Sequence, residues 1–156
     1  MKKLTTIFAA LALVISMSAF AAPEVIVNEA IRTSFAKKFA AAKNVQWEKN
    51  SDYYFAHFTL YNDDLIAAYD EEGNMIASSK IVTKDKLPLF LKTSLQEQFA
   101  GYTICPTVSQ INLQGEDIYY VSIENKKFMM KLRCSADGAI FVEKKVKKPL
   151  LVGRVY

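Results

Sequence analysis

Apolar residues recur at four-residue spacing in two places along the chain, and each series predicts an α-helix with one apolar face. The two series, 60 positions apart, are Ile31, Phe35 and Phe39, and Leu91, Leu95 and Phe99. Side chains at this spacing lie on the same side of a helix. The second helix also has terminal signals, with Asp85 as a candidate N-cap, Pro88 in the first turn and Gly101 just past the end. The pattern therefore predicts two short amphipathic helices.

Downstream of each helix, apolar and polar residues alternate, which predicts short β-strands. We expect strands at 44–49, 53–61, 65–70 and 75–81, and again at 107–113, 118–124, 128–134 and 139–145. Polar turns separate the strands, and Gly73 and Gly138 supply the positive φ that tight hairpins require. Connections this short join only antiparallel neighbours, so each series of strands predicts a meander.

The strand regions also match each other at a constant offset of 65 positions, for example Tyr54 with Tyr119 and Gly73 with Gly138. The sequence therefore predicts an α+β fold of two pseudo-repeated units, each a helix packed on a four-stranded antiparallel meander sheet. A polar linker at 78–86 separates the copies. After a signal peptide at 1–21, we expect unit 1 at 22–82, unit 2 at 83–148 and a C-terminal tail at 149–156.

Each predicted sheet has one face covered by its helix and one face left open. The open faces carry Tyr53, Phe55 and His57 in the first copy, and Tyr120 and Met129 in the second. Aromatic residues and Met are favoured at the centres of protein interfaces. We therefore expect these five residues to be exposed and to contact a partner protein. The alternative is that the two open faces pack on each other, or in a homodimer.

The N-terminal residues have the three-part pattern of a secretory signal peptide. A positively charged start precedes an apolar run at 4–20, and small residues follow in the A-x-A arrangement that ends at Ala21. An uncleaved membrane anchor is the alternative, but a run of roughly 17 residues is short for a bilayer span. We therefore predict a mature chain that begins at Ala22, is periplasmic or secreted, and is not stably inserted in a membrane.

The charge of the mature chain excludes a typical nucleic-acid-binding protein. The full sequence has 20 basic and 16 acidic side chains, and the signal peptide removes two lysines, which leaves 18 against 16. The remaining basic excess lies near the C-terminus, around 144–148. Such a run is typical of a solvated strand edge, with an acidic partner or an anionic surface as the alternative.

Four segments resemble the exported PepSY-like proteins, also called β-lactamase-inhibitor-like. They are Phe-Ala-Lys-Lys-Phe at 35–39, Ala-Lys-Asn-Val-Gln-Trp-Glu at 42–48, and Asp-Tyr-Tyr at 52–54 with Asp-Glu-Glu-Gly-Asn at 70–74. The resemblance covers nearly the whole mature chain, although the second copy has Tyr-Thr-Ile-Cys-Pro at 102–106 where the Trp-containing segment would stand. It implies tandem helix-plus-sheet units, no enzymatic activity, and a protein-binding or peptidase-inhibiting role.

The residues themselves offer no catalytic or metal-binding constellation. His57 is the only histidine, and a Cys–His nucleophile pair would require it to lie beside Cys105 or Cys134 in the other copy. The acidic hairpin at 70–73 lacks the alternating oxygen ligands of a calcium loop. We therefore predict a protein that is not an enzyme and that needs no cofactor or metal.

The two cysteines raise the question of a disulfide, because exported proteins often form them. Cys105 lies at the entry to the first strand of its meander and Cys134 near the exit of the third, at opposite ends of the sheet. Their separation along the strands would be on the order of 15–20 Å, against a Cα limit of about 7 Å. We expect two free thiols unless the segment 103–108 folds back.

These observations predict an exported, non-enzymatic protein-binding module, with peptidase or hydrolase inhibition as the activity that the resemblance implies. Its partner would be an envelope or extracellular protein. The alternative is a periplasmic carrier of a small apolar ligand held between the two sheets, which needs a cavity of roughly 300 Å³ or more.

Overall fold

The computed structural model describes residues 25–149, which form mainly β-structure. The predicted signal peptide and most of the predicted tail lie outside these residues. In chain order the elements are α1 (Glu29–Lys38), β1 (Lys43–Asn50), β2 (Tyr53–Leu60), β3 (Asp63–Tyr69), β4 (Met75–Thr83), a 3₁₀ helix (Lys84–Lys86), α2 (Leu89–Gln98), β5 (Thr103–Leu113), β6 (Glu116–Glu124), β7 (Phe128–Ser135) and β8 (Ile140–Lys147). The strands lie close to the positions that the alternation predicts.

The eight strands form one sheet in which they follow one another in chain order. The prediction of an α+β fold with two separate four-stranded sheets is therefore wrong. The reason lies at residues 78–83, which we interpreted as a polar linker but which continue β4 to Thr83. Ile81, Val82 and Thr83 are β-branched and favour extended backbone, so the strand does not end where the polar residues begin.

The chain divides into two compact units, with the boundary between Ser79 and Lys80. Unit 1 contains α1, β1 to β3 and the start of β4, and unit 2 contains the end of β4 and the elements that follow it. The sequence predicts a boundary at residue 82 and an internal repeat, and both stay predictions.

Helix α1 covers one face of unit 1 with a cluster of aromatic rings. The ring of Phe35 lies 5.0 Å from that of Phe58 and 5.3 Å from that of Trp47, both in edge-to-face geometry. The strand face beneath combines large rings with small residues, since Phe58 and Tyr69 are buried beside the fully buried Ala56 and Ala67. The predicted apolar stripe of this helix is confirmed, and it packs against both the rings and the alanines of the strands.

The first turn of α1 is fixed to the turn between β3 and β4. Asn28 caps the helix, because its Oδ1 accepts a hydrogen bond of 2.9 Å from the Ile31 amide. Its Nδ2 donates to the Glu71 carbonyl at 2.8 Å. Gly73 adopts φ +88°, and a Cβ there would lie 2.9 Å from the backbone carbonyl carbon of Ala30. Only glycine allows the turn and the helix to approach this closely.

Helix α2 covers one face of unit 2 with aliphatic side chains. Leu91 and Leu95 are buried against a strand face that includes Val121, Ile123 and Leu132. Tyr119 is the one aromatic residue among the buried members of this cluster, and Phe99 and Tyr102 are partly buried against it. The second apolar stripe is thus confirmed as the cover of a mainly aliphatic core.

The predicted N-cap of α2 is wrong, because Asp85 lies in the 3₁₀ helix and α2 begins only at Leu89. Leu87 and Pro88 are both extended, with ψ angles of 142° and 141°. A residue that precedes proline is disfavoured in the helical region, so Leu87 interrupts any helix that starts at Asp85.

Both cysteines are free thiols in the structure, Cys134 buried and Cys105 partly exposed. Ile104, next to Cys105, pairs with Ile123 on β6, whereas Cys134 pairs with Tyr119 on the other side of that strand. The two pairing points are four residues apart on β6, on the order of 13 Å. This distance exceeds the roughly 7 Å that a disulfide can bridge.

Candidate protein-binding surface

Three of the predicted contact residues lie on one face of β2 in unit 1, turned away from α1. Tyr53 and His57 are partly exposed, whereas Phe55 has an exposed fraction of 0%. The expectation that Phe55 is exposed is therefore wrong. β2 is an inner strand, and Phe55 faces Glu48 on one side and Ala68 on the other. Strand parity predicted the face correctly but could not predict how closely that face is packed.

His57 lies next to an acidic residue but is poorly placed for chemistry. Its Nε2 is 3.6 Å from the Glu48 carboxylate, which is longer than a hydrogen bond. Burial lowers the pKa of His57, and the charge of Glu48 opposes this shift only in part. Among the described residues, no cluster of three or more His, Cys, Asp or Glu side chains could hold a metal ion.

In unit 2, Tyr120 lies on the face of β6 turned away from α2, and it is also buried, at 7% exposed. The Lys131 ammonium lies 5.0 Å from the centre of its ring. Burial is the main cause that raises the pKa of Tyr120 to about 12, with Glu143 adding to the shift and Arg133 opposing it. The expectation that Tyr120 is exposed is therefore wrong, and the long Lys131 side chain of the neighbouring strand extends over its ring.

Next to Tyr120, β7 and β8 expose three apolar side chains on the same face of unit 2. Met129, Phe141 and Val146 are 43%, 53% and 46% exposed, and together we call them the β7–β8 patch. Met129 pairs directly with Val146, and Phe141 pairs with Arg133, which stands four residues from Met129 on β7. The patch is therefore about 13 Å long. Of the five predicted contacts, Met129 is the one that is well exposed.

An irregularity in β8 brings the patch together. Leu132 pairs with Val142 and Lys131 with Lys144, so Glu143 is an extra residue in β8, as in a β-bulge. If every residue from 141 to 146 alternated strictly, Phe141 and Val146 would lie on opposite faces. For this reason the sequence analysis did not place Phe141 and Val146 on the open face. Arg133 has the same strand parity as Met129 and therefore does lie on that face.

Basic side chains lie around and between the apolar members of the patch. The Arg133 guanidinium lies 4.8 Å from the centre of the Phe141 ring, and its Nε is 3.6 Å from the Glu143 carboxylate. Lys131 and Lys144 pair across the strands between the two ends of the patch. The surface thus combines an aromatic ring, Met and Arg, which are the side chains that protein interfaces favour.

The architecture belongs to a class of β-lactamase-inhibitor-like folds. A BLIP-like protein from Bacteroides fragilis is similar to this chain with a TM-score of 0.65 and 19% identity, over 80% of this chain and 90% of that chain. A DUF2874 family protein from Bacteroides uniformis has a TM-score of 0.66 and 14% identity, over 78% and 90% of the two chains. A candidate periplasmic protein from Bacteroides eggerthii has a TM-score of 0.65 and 12% identity, over 79% and 90%.

These similarities confirm a BLIP-like fold, whereas the PepSY-like relationship stays a prediction. No protein-family model matches the sequence, and no curated protein matches it. Neither described helix is long and apolar enough to span a membrane.

Proposed function

We propose that this chain is an exported, non-enzymatic protein-binding module with a BLIP-like fold, and that it binds an envelope or extracellular protein through the β7–β8 patch. The observation that supports binding is the presence of three apolar side chains, each 43% to 53% exposed, on the sheet face that α2 leaves uncovered. Export rests on the signal-peptide pattern, and the candidate periplasmic neighbour is in keeping with it.

The charges around the patch define the kind of partner surface that would fit. Lys131, Arg133 and Lys144 lie among the apolar side chains. Glu143 and Glu124 offset them only in part, since Glu124 also pairs with Lys148. A complementary partner would present an apolar centre bordered by carboxylates, which would steer association and set the orientation. We propose Tyr53 and His57 of unit 1 as secondary contacts. The proposed consequence of binding is inhibition of a peptidase or another hydrolase.

The adjacent residues Phe141 and Val142 provide a matched test. Both are about half exposed, at 53% and 52%, but they lie on opposite faces of β8. In the mature chain, a photo-crosslinking side chain at position 141 should capture a partner from envelope extract, and one at position 142 should not. With the purified partner, Phe141→Ala should weaken binding about tenfold or more, and Val142→Ala less than about twofold.

Both truncations should leave the free energy of unfolding within about 0.5 kcal/mol of the parent, because both sites are exposed. Equal effects of the two substitutions on binding would contradict the assignment of the patch. Crosslinks only between copies of this chain would show instead that the patch is a homodimer surface.

A further inference from the structure

Unit 2 contains a cavity of about 310 Å³ between α2 and the strands that it covers. Its apolar walls are Leu95, Phe99, Tyr102, Ile104 and Ile123. It lies on the helix side of the sheet, opposite the β7–β8 patch. Because the described strands form one sheet, this is a different place from the space between two sheets that the sequence analysis considered.

The cavity exists because the core of unit 2 is incompletely filled at one end. Leu95 and Ile123 are 2% and 1% exposed, whereas Phe99, Tyr102 and Ile104 are only partly buried. The helix ends at Gln98, and the pairing of β5 with β6 is irregular between Ile104 and Val108. The cavity lies where the helix ends and this pairing becomes irregular, and apolar surface there remains open to a ligand.

The mouth of the cavity is polar and carries more positive than negative charge. Lys84, Asp85, Lys92 and Gln96 line it. The Lys92 Nζ donates a hydrogen bond of 2.7 Å to the backbone carbonyl of Asp85, which holds this ammonium group at the opening. Lys84 forms no ion pair with any residue between 25 and 149. Two ammonium groups and one carboxylate thus face a ligand that enters.

We propose that this cavity binds a small amphipathic anion, with its apolar part against Leu95, Ile104 and Ile123 and its carboxylate near Lys84 and Lys92. The volume corresponds to about ten water-sized groups, which is the size of a medium-length fatty acid or an aromatic carboxylic acid. Apolar walls with a few charged groups at one end are the usual composition of such sites.

Three probes with a ten-carbon chain distinguish the contribution of the apolar chain from that of the carboxylate. Decanoate, decan-1-ol and decyltrimethylammonium share the apolar chain and differ in the head group. Titrated into the isotopically labelled mature protein below their micellar concentrations, decanoate should bind at one site and shift the amide signals of Leu95, Ile104 and Ile123. Its Kd should be about tenfold lower than that of decyltrimethylammonium, with decan-1-ol between them.

Four variants test the site. Lys84→Gln and Lys92→Gln should each weaken decanoate binding about three- to tenfold and leave decan-1-ol binding unchanged. Lys86→Gln is the matched control, because Lys86 shares the 3₁₀ helix with Lys84 but does not line the cavity. Gln96→Trp, at an exposed rim position, should block the mouth and weaken both probes without altering the core.

Several results would overturn the proposal. They are an absence of saturable binding at millimolar decanoate, equal affinity for the anionic and cationic probes, and shifts that map to another part of unit 2. Loss of decanoate binding in the Lys86→Gln variant as large as that in Lys92→Gln would show that general charge, not the cavity mouth, attracts the anion.

Discussion

Units 1 and 2 each pack a ten-residue helix on strands, but they fill the space in different ways. In unit 1 the helix contributes Phe35 and Phe39, and the strands contribute rings such as Phe58 together with Ala56 and Ala67. In unit 2 the helix contributes leucines, and the strands contribute mainly aliphatic residues such as Val121 and Leu132. Rings interspersed with small residues in unit 1 thus fill the space that medium-sized side chains fill in unit 2. A core is constrained by total volume and shape more than by the identity of any one residue.

The two units also differ in charge. Residues 25–79 contain five basic and eight acidic side chains, and residues 80–149 contain twelve basic and seven acidic. Both the β7–β8 patch and the cavity with the lysine-lined mouth are in the basic unit. The difference suggests that unit 2 supplies the recognition of acidic or anionic groups.

The aromatic cluster of unit 1 should make Phe35 the most costly truncation in the chain. Phe35→Ala should lower the free energy of unfolding by about 3–5 kcal/mol, because it removes the ring that contacts Phe58 and Trp47. Leu95→Ala in unit 2 should cost less, about 2–3 kcal/mol, since it removes fewer atoms and no aromatic ring. Urea denaturation measures both. A larger loss for Leu95→Ala would contradict the contrast between the two cores.

A second truncation tests the face of unit 1 that α1 does not cover. Phe55→Ala should cost about 3 kcal/mol, because this ring is fully buried although it belongs to neither helix-covered cluster. Tyr61→Ala is the control, since Tyr61 is 84% exposed and should change stability by less than about 0.5 kcal/mol. If the two variants of the mature chain unfold at the same urea concentration, the uncovered face is an open surface after all.

The two turn glycines should respond differently to the same substitution. Gly73 and Gly138 have nearly equal φ angles, +88° and +93°, so alanine brings similar backbone strain of about 1 kcal/mol at both. At Gly73 the new Cβ also meets helix backbone at Ala30, whereas at Gly138 it meets the ring of Phe90, which is 64% exposed and can move. We expect losses of about 2–3 and about 1 kcal/mol in thermal unfolding. Equal losses would mean that the α1 contact is not rigid.

The two cysteines of unit 2 should differ in reactivity. Burial raises the pKa of Cys134 to about 12, and burial is also the main cause that raises the pKa of the more accessible Cys105. With a disulfide reagent at pH 8, Cys105 should react at least about 100-fold faster than Cys134 in the native protein, because the thiolate must be formed and reached. In denaturant both should react without prior reduction. A requirement for reductant would contradict the register of β5, β6 and β7.

The smallest expected effect is a dependence of stability on pH through His57. Its pKa is lowered in the folded protein, chiefly by burial, so between the folded and unfolded pKa values the unfolded chain binds more protons. The free energy of unfolding should therefore decrease as the pH falls below about 6.5. Urea melts between pH 8 and 5.5 should show this decrease, and His57→Gln should reduce it. An unchanged slope in the variant would assign the effect to other groups.

The sequence contained enough information for the local elements but not for their assembly. The alternation around Tyr54 and Tyr119 placed the strands, because a half-buried strand must repeat every two residues. Whether β4 ends at a linker or continues depends on its partners in the sheet, which Ser78 and Ser79 do not specify locally. The burial of Phe55 and Tyr120 likewise depends on side chains of neighbouring strands. Periodicity therefore identifies the face of a residue and leaves its solvent exposure undetermined.

The extra residue at Glu143 makes the composition of the β7–β8 patch sensitive to the register of β8 against β7. If Glu143 took a regular place in the ladder opposite Lys131, every residue after it would move by one position. Val146 and Lys144 would then lie on the helix side of the sheet, and Lys145 and Lys147 would lie on the outer face. Such a slip would replace apolar surface with positive charge without any change in the sequence. Deletion of Glu143, by contrast, would keep the present pairing and leave Phe141 and Val146 on the same face.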